Sequence, residues 1–490
     1  MKERSKRQKM MKELCAASYV GSTKRSGSRN RYIRPLIYVT LVTGMLAFVF
    51  VFLNRAFSSY IRRTDCNFWL PNVTGKCTSE NFQQTFALSS PKRRSGTKNP
   101  AEEIQREFQN IFSKESSDMV ANGPSVLNIG KDGDDIYLNL SAFRRSYAEM
   151  EMKFKIYVYK DGLMPLVHQG PMTGIYASEG LFIDTMEQGN QFTTEDPERA
   201  NMFFLPYSVR QMVTYLYKPF SRSMQPIKSN ISNYVRNISV AHPYWNRTRG
   251  RDHFFVSCHD WAVYTLRDHA ELSKNAIKVV CNADKSSSFN AKRDVSLPEI
   301  AIRRCKLMSK NRTNELGGPG PTERPFLAFF AGQMHGTLRP EIIRLWSNPD
   351  DPSMKIFGVL QSHPTSLADN ITYIEYMKMS KYCLCPRGFD VNSPRLVEAI
   401  YYDCVPVVIS DDYILPFADV LDWDKLAIRV AEKDISRLKQ ILQEVPQEVY
   451  ESIQNRLKFA RRHFLWHARP LQYDVFSMIV HSLWIRRLTA

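Results

Sequence analysis

The chain has 490 residues, of which 43% are hydrophobic and 12% aromatic, and its formal net charge is +18. This length is sufficient for two or three domains with large apolar cores. The positive charge first suggests a nucleic-acid partner. However, residues 1–35 hold eleven Lys and Arg against two Glu, so this tail alone contributes half of the excess. Such a placement argues against a nucleic-acid-binding protein.

The basic tail, residues 1–35, precedes an uncharged apolar segment at residues 36–53, LIYVTLVTGMLAFVFVFL. A segment of this length is just long enough to cross a bilayer as a helix. A cleaved signal peptide is the alternative, but the long basic leader and the lack of a small-residue cleavage site disfavour it. A buried core helix would lack the flanking charge. Because positive charge stays on the cytosolic side, we expect a signal anchor with every later residue in the lumen.

Residues 54–145 are predicted to form a lumenal stem, because SSPKRRSGTKNPAEE is polar, charged and broken by proline. Seven N-glycosylation sequons follow the anchor and none precedes it, at Asn72, Asn139, Asn230, Asn237, Asn246, Asn311 and Asn370. Eight of the nine cysteines also follow the anchor, an even number that suits disulfides in an oxidising compartment. Cys66 and Cys77 are candidates for a local pair. Cys383 and Cys385 share one face of a predicted strand, so we do not expect them to bond to each other.

Residues 146–320 are predicted to form a first α/β domain, with strands in the runs FKIYVY, MFFLPY, HFFVSC and IKVVC. His259 and Asp260 follow the third of these runs, where a strand would end. Either one is a candidate general base. Equally, the two residues are compatible with a structural corner in which Trp261 packs and Asp260 caps. The segment 311–325 is rich in Gly and Pro and is predicted to be the hinge to the next domain.

Residues 321–445 are predicted to form a second α/β domain, with strands in FLAFFAG, MKIFGVL, KYCLCP, VPVVI and LAIRVA. Residues 446–490 are predicted to be helices. The segment FFAGQMHGTLRP indicates a strand, a glycine loop and a helix. The glycines would let the backbone approach a phosphate, and His335 or Arg339 is a candidate contact. A plain turn between strand and helix explains the same pattern.

The segment 383–410 carries the most information, because it combines two buried strands with a polar loop and a short helix. Ser393 and Pro394 form a helix-start signal, with Ser393 as the capping residue. Arg387 and Gly388 lie in the loop, Arg395 in the first helical turn, and Glu398 on the same side of that helix. Guanidinium groups and a helix start can hold a diphosphate, while the carboxylate can accept hydrogen bonds from ribose hydroxyls. A solvent-exposed Arg–Glu pair is the simpler interpretation of the last two residues.

Several segments in the same order resemble the exostosin family of glycosyltransferases, in particular its plant branch. They span about residues 150–490 and include MKFKIYVYKDG, DPERANMFFLPYS, HPYWNR, DHFFVSCHDW, FFAGQMHGTLRP, KYCLCPRGFDVNSPRLVEAI and VPVVISDDYILPF. The resemblance implies a GT-B fold, in which two Rossmann-like domains face a cleft, behind a single transmembrane helix and stem. It also implies that the first domain takes the acceptor, that the last helix crosses back onto that domain, and that Arg387, Arg395 and Glu398 occupy donor-binding positions.

The predicted function is therefore that of a Golgi type II membrane glycosyltransferase with its catalytic domain in the lumen. It would transfer a sugar with inversion from a UDP-sugar to a polysaccharide or glycan acceptor, in the synthesis of cell-wall matrix polysaccharide. The resemblance allows galactose, arabinose, xylose, glucuronic acid or N-acetylglucosamine donors. Homo- or hetero-oligomers with other glycosyltransferases are a further expectation, and no nucleic-acid partner is expected.

No metal cofactor is expected either. Asp411 and Asp412 resemble the acidic pair of metal-dependent transferases, but they follow a GT-B-type strand and precede a proline-bounded loop. His463 and His467 are four residues apart without an adjacent Glu, so we expect them to be packing or surface residues. Two other classes of function stay open: a non-catalytic partner of an active transferase, and a binder of acidic polysaccharide.

Overall fold

The computed structural model of the chain describes residues 131–302, 316–360 and 371–489. The chain divides into two compact units, residues 1–97 and 98–490, and every described residue lies in the second. The predicted tail, signal anchor and stem up to residue 130 lie outside the described residues, as do Asn72, Asn311, Asn370, Cys66 and Cys77. Within the described residues, no helix is long and apolar enough to cross a bilayer.

The first lobe, residues 140–302, is built on a sheet of six parallel strands. The strands are β1 (Ile156–Val158), β2 (Thr193–Thr194), β3 (Met202–Phe204), β4 (His253–Ser257), β5 (Ile277–Val280) and β6 (Val295–Ser296), in the order β2-β1-β3-β4-β5-β6. Every residue of β3, β4 and β5 is buried. Aromatic and β-branched side chains suit such two-sided burial, so the four predicted strands are confirmed. The two-residue strands β2 and β6 were not predicted.

Helices cover both faces of this sheet. They are α1 (Leu140–Lys153), α2 (Ala177–Glu187), α3 (Val209–Leu216), α4 (Gln225–Ala241), α5 (Pro243–Thr248) and α6 (Ala270–Asn275). Asn139 begins α1, because its side-chain oxygen accepts a hydrogen bond from the Ala142 amide at 3.0 Å. Phe143 and Tyr147 are buried. The predicted stem boundary at residue 145 therefore falls inside a helix that packs into the core.

The second lobe, residues 316–464, is built on five parallel strands. The strands are β7 (Phe326–Ala331), β8 (Met354–Phe357), β9 (Ser380–Pro386), β10 (Val405–Ile409) and β11 (Ile428–Arg429). Its helices are α7 (Leu338–Trp346), α8 (Tyr373–Met379), α9 (Arg395–Tyr401), α10 (Leu438–Glu444) and α11 (Gln447–Ala460). The sheet order is β8-β7-β9-β10-β11. All five predicted strands are confirmed.

Both sheets follow one pattern, in which the first strand of the lobe lies between the second and the third. The connections therefore leave the first strand in one direction and the third strand in the other. Such a reversal opens a crevice at the carboxyl ends of the two strands, where ligands of doubly wound folds bind. The two parallel sheets fit the predicted GT-B-like fold.

The last helix, α12 (Val475–Thr489), returns to the first lobe. The Arg486 Nε donates to the Asp294 carbonyl and the Arg487 Nε to the Asn201 carbonyl, each at 3.0 Å. Twelve of its residues are buried, which is why its apolar residues occur all round rather than on one face.

Two disulfides link neighbouring strands within the described residues. Cys258 follows β4 and bonds Cys281, which follows β5, and Cys383 on β9 bonds Cys404 next to β10. Cys385 is buried and forms no disulfide with a described residue. The prediction that Cys383 does not pair with Cys385 is confirmed, because both side chains lie on the same strand two residues apart.

The carboxyl ends of the two sheets meet. The Lys285 amide donates to the Asp412 carbonyl and the Ile414 amide to the Ala283 carbonyl, both at 3.0 Å. The Ser296 hydroxyl donates to the Ile414 carbonyl at 2.7 Å. These contacts bring the loops after β5 and β6 onto the loop after β10, so the side chains at the strand ends of both lobes face one another.

Candidate active site

Arg395 lies at the crevice of the second sheet, between the ends of β7 and β9. Its Nε and Nη2 donate to the Ala331 carbonyl at the end of β7, at 3.0 and 2.6 Å, and its Nη1 donates to the Ser393 hydroxyl at 3.4 Å. The guanidinium also lies 5.0 Å from the centre of the Phe330 ring. A guanidinium has five N–H donors, so two of them are not used by the described residues and are available to a ligand.

The start of α9 differs from the prediction. The helix begins at Arg395 with Pro394 as its N-cap, and no side chain caps it. The predicted capping role of Ser393 is therefore wrong, because the hydroxyl is engaged by the Arg395 guanidinium instead.

Two glycine positions let the loops after β7 and β9 pack closely. A Cβ on Gly332 would overlap the Arg395 guanidinium, with the Cζ only 2.9 Å away. A Cβ on Gly336, whose φ is +72°, would lie 2.7 Å from the carbonyl carbon of Gly388. Only glycine therefore permits this close packing, while the predicted approach of the loop to a phosphate stays a prediction.

Arg339 is buried and holds the end of β9. Its Nε and Nη2 donate to the Pro386 carbonyl at 3.3 and 3.2 Å. Burial and the neighbouring Arg395 lower the pKa of this guanidinium to about 10. The group still carries its charge at neutral pH, so it adds a second fixed positive charge to the crevice.

Arg387 and His335 are the more exposed members of the predicted set. The Arg387 side chain is 34% exposed, and its Nη1 lies 3.5 Å from the Glu432 carboxylate. His335 is exposed and stacks on Phe389, with ring centres 5.1 Å apart. Both are therefore accessible to a ligand without first breaking a buried interaction.

Glu398 lies one turn further into α9 than Arg395 and is buried. Its Oε2 accepts a hydrogen bond from the Tyr373 hydroxyl at 2.8 Å. The interpretation of an exposed Arg–Glu pair is wrong, because Arg395 binds the end of β7 while Glu398 binds Tyr373. The structure therefore gathers Arg387, Gly388, Arg395, Arg339 and Glu398 around the crevice at β7 and β9.

Asp260 and His259 approach from the first lobe, directly after β4. The Tyr176 hydroxyl donates to the Asp260 Oδ2 at 3.1 Å, and burial raises the pKa of Asp260. The Nδ1 of His259 accepts from the Trp261 amide at 3.1 Å, and its ring stacks on Tyr176. Burial, together with Arg210, lowers the pKa of His259 to about 4. His259 is therefore uncharged at neutral pH and its Nδ1 accepts from the Trp261 amide, which favours Asp260 over His259 as the candidate base.

A buried glutamate positions this strand end. Glu179 on α2 is fully buried and accepts hydrogen bonds from Ser257 Oγ and the Cys258 amide, both at 2.9 Å, and from the Arg210 amide at 3.2 Å. The Ser208 hydroxyl is a fourth donor. These bonds fix the end of β4 that carries the two candidate residues.

Two carboxyls that the sequence did not single out complete the site. Glu299 follows β6 in the first lobe, and its Oε2 accepts from Asn392 Nδ2 of the second lobe at 2.8 Å. Asp390 of the second lobe accepts from Asn282 Nδ2 of the first lobe at 2.6 Å. The two lobes thus exchange one amide-to-carboxyl hydrogen bond in each direction.

Burial dominates the electrostatics of both carboxyls. Burial and the neighbouring Asp260 raise the pKa of Glu299 to about 8, while Arg395 and Arg339 act in the opposite direction. Burial, then Asp260 and Asp284, raise the pKa of Asp390 to about 7, against the effect of Arg387. For Glu299 the sequence signal was a carboxylate inside the otherwise apolar run LPEIAI, after a strand. Its partners are distant in the chain, so the sequence could not pair them.

The residues that resembled metal ligands have structural partners. The Asp411 carboxylate accepts from the Glu432 amide at 3.1 Å, and Asp412 forms an ion pair with Lys285 at 3.6 Å. His463 is buried between Tyr137 and the Tyr473 carbonyl. Within residues 131–302, 316–360 and 371–489, no cluster of three or more His, Cys, Asp or Glu side chains could hold a metal.

The described sequon asparagines lie on two consecutive helices, α4 and α5, apart from Asn139 before α1. Asn230 and Asn237 are two turns apart on α4, with Asn237 exposed and Asn230 half-buried. Asn246 on α5 is exposed, and its amide nitrogen donates to the Ser239 carbonyl at 2.7 Å. Asn139, Asn237 and Asn246 are exposed, so these three side chains are accessible to glycosylation.

Comparison with known proteins agrees with this architecture. A model of the exostosin GT47 domain matches residues 150–445. "Probable glycosyltransferase At5g03795" of Arabidopsis thaliana is 41% identical over 85% of this chain and 77% of its own length. "Probable beta-1,4-xylosyltransferase IRX10" of the same plant is 30% identical over 68% of this chain and 82% of its own length. "Probable glucuronosyltransferase GUT1" of Oryza sativa subsp. japonica is 30% identical over 61% of this chain and 72% of its own length.

Two doubly wound sheets that meet at their carboxyl ends, with arginines on the second lobe facing Asp260 and Glu299 on the first, define a GT-B-like α/β protein of the glycosyltransferase class. The chain belongs to the exostosin GT47 family and is a glycosyltransferase of its plant-type branch. The family predicted from the sequence is confirmed.

Proposed function

We propose that this protein transfers a sugar with inversion from a UDP-sugar to the hydroxyl of a polysaccharide or glycan acceptor. The observation that carries the proposal is the position of Arg395 at the crevice of the second sheet, with two unused N–H donors beside the buried charge of Arg339. This is where a doubly wound fold binds a nucleotide, and guanidinium groups suit a diphosphate. Glu398 would accept hydrogen bonds from the ribose hydroxyls.

In the proposed reaction, the acceptor oxygen attacks the anomeric carbon and forms the new glycosidic bond. The bond from that carbon to the β-phosphate oxygen breaks, and its electron pair leaves with UDP. Asp260 takes the proton of the acceptor hydroxyl. Arg387, Arg395 and Arg339 stabilise the negative charge that grows on the diphosphate, the task that a metal ion performs in other transferases.

The location and the pathway belong to the same proposal. The basic tail, the apolar segment 36–53 and the later sequons support a single-pass type II protein of the Golgi membrane with a lumenal catalytic domain. The two disulfides support an oxidising compartment. Relatives named for xylosyl and glucuronosyl transfer support an acceptor among the cell-wall matrix polysaccharides.

The test is UDP binding to the purified full-length protein, measured by isothermal titration calorimetry, followed by turnover of a panel of UDP-sugars. Arg395→Ala and Glu398→Ala should weaken UDP binding and donor turnover without loss of fold. Arg344→Ala is a matched control, because Arg344 lies on α7, is 66% exposed and pairs only with Glu341 among the described residues. Wild-type protein that binds no UDP would be a non-catalytic partner subunit. Full transfer by both site variants would disprove the site.

A further inference from the structure

Glu299 is held at a fixed place between the two lobes. Before it in the chain, the Leu297 amide donates to the Val280 carbonyl at 2.9 Å, and the Pro298 carbonyl accepts from the Ser178 hydroxyl at 2.7 Å. After it, Ile302 and Gly174 exchange two backbone hydrogen bonds. Both flanks of Glu299 are therefore anchored, and Asn392 fixes the side chain itself.

This side chain is too buried and too poorly partnered to carry a charge easily. Glu299 is only 4% exposed, and its single hydrogen bond within the described residues comes from a neutral amide. No Lys or Arg described in the structure lies within ion-pair distance of it. A buried carboxyl without a cationic partner takes up a proton rather than remain ionised. The raised pKa of Glu299, about 8, agrees with this argument.

The charged groups around Glu299 indicate which part of the donor would lie next to it. Its electrostatic neighbours are Arg395 and Arg339 in the second lobe and Asp260 in the first. In the proposed reaction the arginines hold the diphosphate and Asp260 faces the acceptor hydroxyl. The sugar to be transferred must lie between these two groups, since its anomeric carbon joins the diphosphate and is attacked by the acceptor.

We propose that Glu299 binds the transferred sugar of the donor as an uncharged carboxylic acid, with its O–H donating a hydrogen bond to a sugar hydroxyl or ring oxygen. Glu299 is then a residue that determines which sugar is accepted. This inference rests on the proposed function, because it requires a UDP-sugar in the crevice.

Other titratable groups near Glu299 do not change the expectation that its carboxyl is protonated below pH 8. Tyr176 and Tyr413 both have a raised pKa because of burial, so they stay neutral over the same range. Asp260 favours the protonated form of Glu299, whereas the two arginines favour the ionised form. The negative charge of a bound diphosphate would offset those arginines and favour the proton further.

The experiment compares Glu299→Gln and Glu299→Ala in the full-length protein, with Glu341→Gln as a control at an exposed glutamate of α7. The probes are UDP and whichever of UDP-galactose, UDP-arabinose, UDP-xylose, UDP-glucuronic acid and UDP-N-acetylglucosamine the wild type turns over fastest. Glutamine keeps a hydrogen-bond donor and the contact with Asn392. We expect Glu299→Gln to stay within about threefold of wild type. We expect Glu299→Ala to lose roughly tenfold or more in affinity for the UDP-sugar while binding UDP normally.

The pH profile supplies a second readout. Wild-type kcat/KM should fall as pH rises through about 8, where Glu299 loses its proton, and Glu299→Gln should not show this fall. If Glu299→Gln is as damaged as Glu299→Ala, the residue acts as an ionised base and the inference is wrong. If either variant loses UDP and UDP-sugar affinity equally, the role is structural and the inference is equally wrong. Failure of the proposed function is seen separately, since the wild type would then bind no UDP.

Discussion

Replacing Gly332 with alanine should weaken nucleotide binding without altering any charged residue. The added Cβ would overlap the Arg395 guanidinium, with Cζ at 2.9 Å. The guanidinium is the end of a flexible side chain, so it can move away and leave the fold intact. In moving, it would lose its hydrogen bonds to the Ala331 carbonyl and its alignment with the diphosphate.

The magnitude follows from the hydrogen bonds at stake. Arg395 has two N–H donors left for a ligand, and a hydrogen bond to a charged group contributes about 1.5–3 kcal/mol. Loss of one such bond corresponds to a roughly 10- to 100-fold weaker affinity for UDP. The φ angle of Gly332 is not in the left-handed region, so alanine adds no backbone strain. Loss of the hydrogen bonds to the Ala331 carbonyl should lower the free energy of unfolding by on the order of 1 kcal/mol.

Calorimetry with UDP and thermal unfolding of the same samples measure both quantities. Gly358→Ala is the steric control, because a Cβ there meets only Met334 at 3.8 Å, an ordinary contact. We expect Gly358→Ala to bind UDP like the wild type. Normal UDP affinity in Gly332→Ala would refute the assignment of Arg395 to the diphosphate, provided that both variants unfold within a few degrees of the wild type.

Three further predictions concern the carboxyls and a disulfide. Because the pKa of Glu299 is raised from 4.5 to about 8 and that of Asp390 from 3.8 to about 7, the folded protein binds more protons than the unfolded chain between these values. These two carboxyls should therefore lower the free energy of unfolding as pH rises from about 5 to 7, by on the order of 1 kcal/mol per pH unit each. Buried histidines such as His259, whose pKa is lowered, act in the opposite direction below about pH 6.5, so denaturant titrations compare the wild type with a Glu299→Gln, Asp390→Asn variant. Asp260→Asn should lower kcat by roughly 100-fold or more with unchanged UDP affinity, as measured by initial rates and calorimetry. Replacing Cys383 and Cys404 by alanine should cost about 3 kcal/mol of stability, since the disulfide closes a loop with a sequence separation of 21.

Each of these has a contrary outcome. If the difference in free energy of unfolding between the wild type and the double carboxyl variant stays constant over this pH range, the two carboxyls are ionised in the folded protein. An Asp260→Asn variant with normal kcat would mean that another residue is the general base. Equal stability of the double cysteine variant and the wild type, without reductant, would mean that this disulfide does not form in solution.

The strands were predictable because their signal is local. Buried parallel strands need long runs of β-branched and aromatic residues, and the run at 405–409 or 253–257 shows this without any knowledge of neighbours. The two-residue strands β2 and β6 carry no such run. They are strands only because a neighbouring strand supplies hydrogen bonds, so the sequence could not reveal them.

Within the candidate site, the sequence indicated which residues are present but did not predict which groups they contact. It indicated Arg395 and Glu398 from their place after a strand, but it expected Ser393 to cap the helix. The hydroxyl binds Arg395 instead, because the guanidinium folds back towards β7, which lies 64 residues earlier in the chain.

The sequence by itself determined the family, the two α/β lobes and the loop that carries the arginines, since strand burial and turn chemistry are written in consecutive residues. Only the tertiary structure decided which groups face each other across the lobes. Glu299 meets Asn392, and Asp390 meets Asn282, over separations of 93 and 108 residues. The protonation of these carboxyls depends on burial and on charges contributed by the other lobe, and neither exists until both sheets have folded and met.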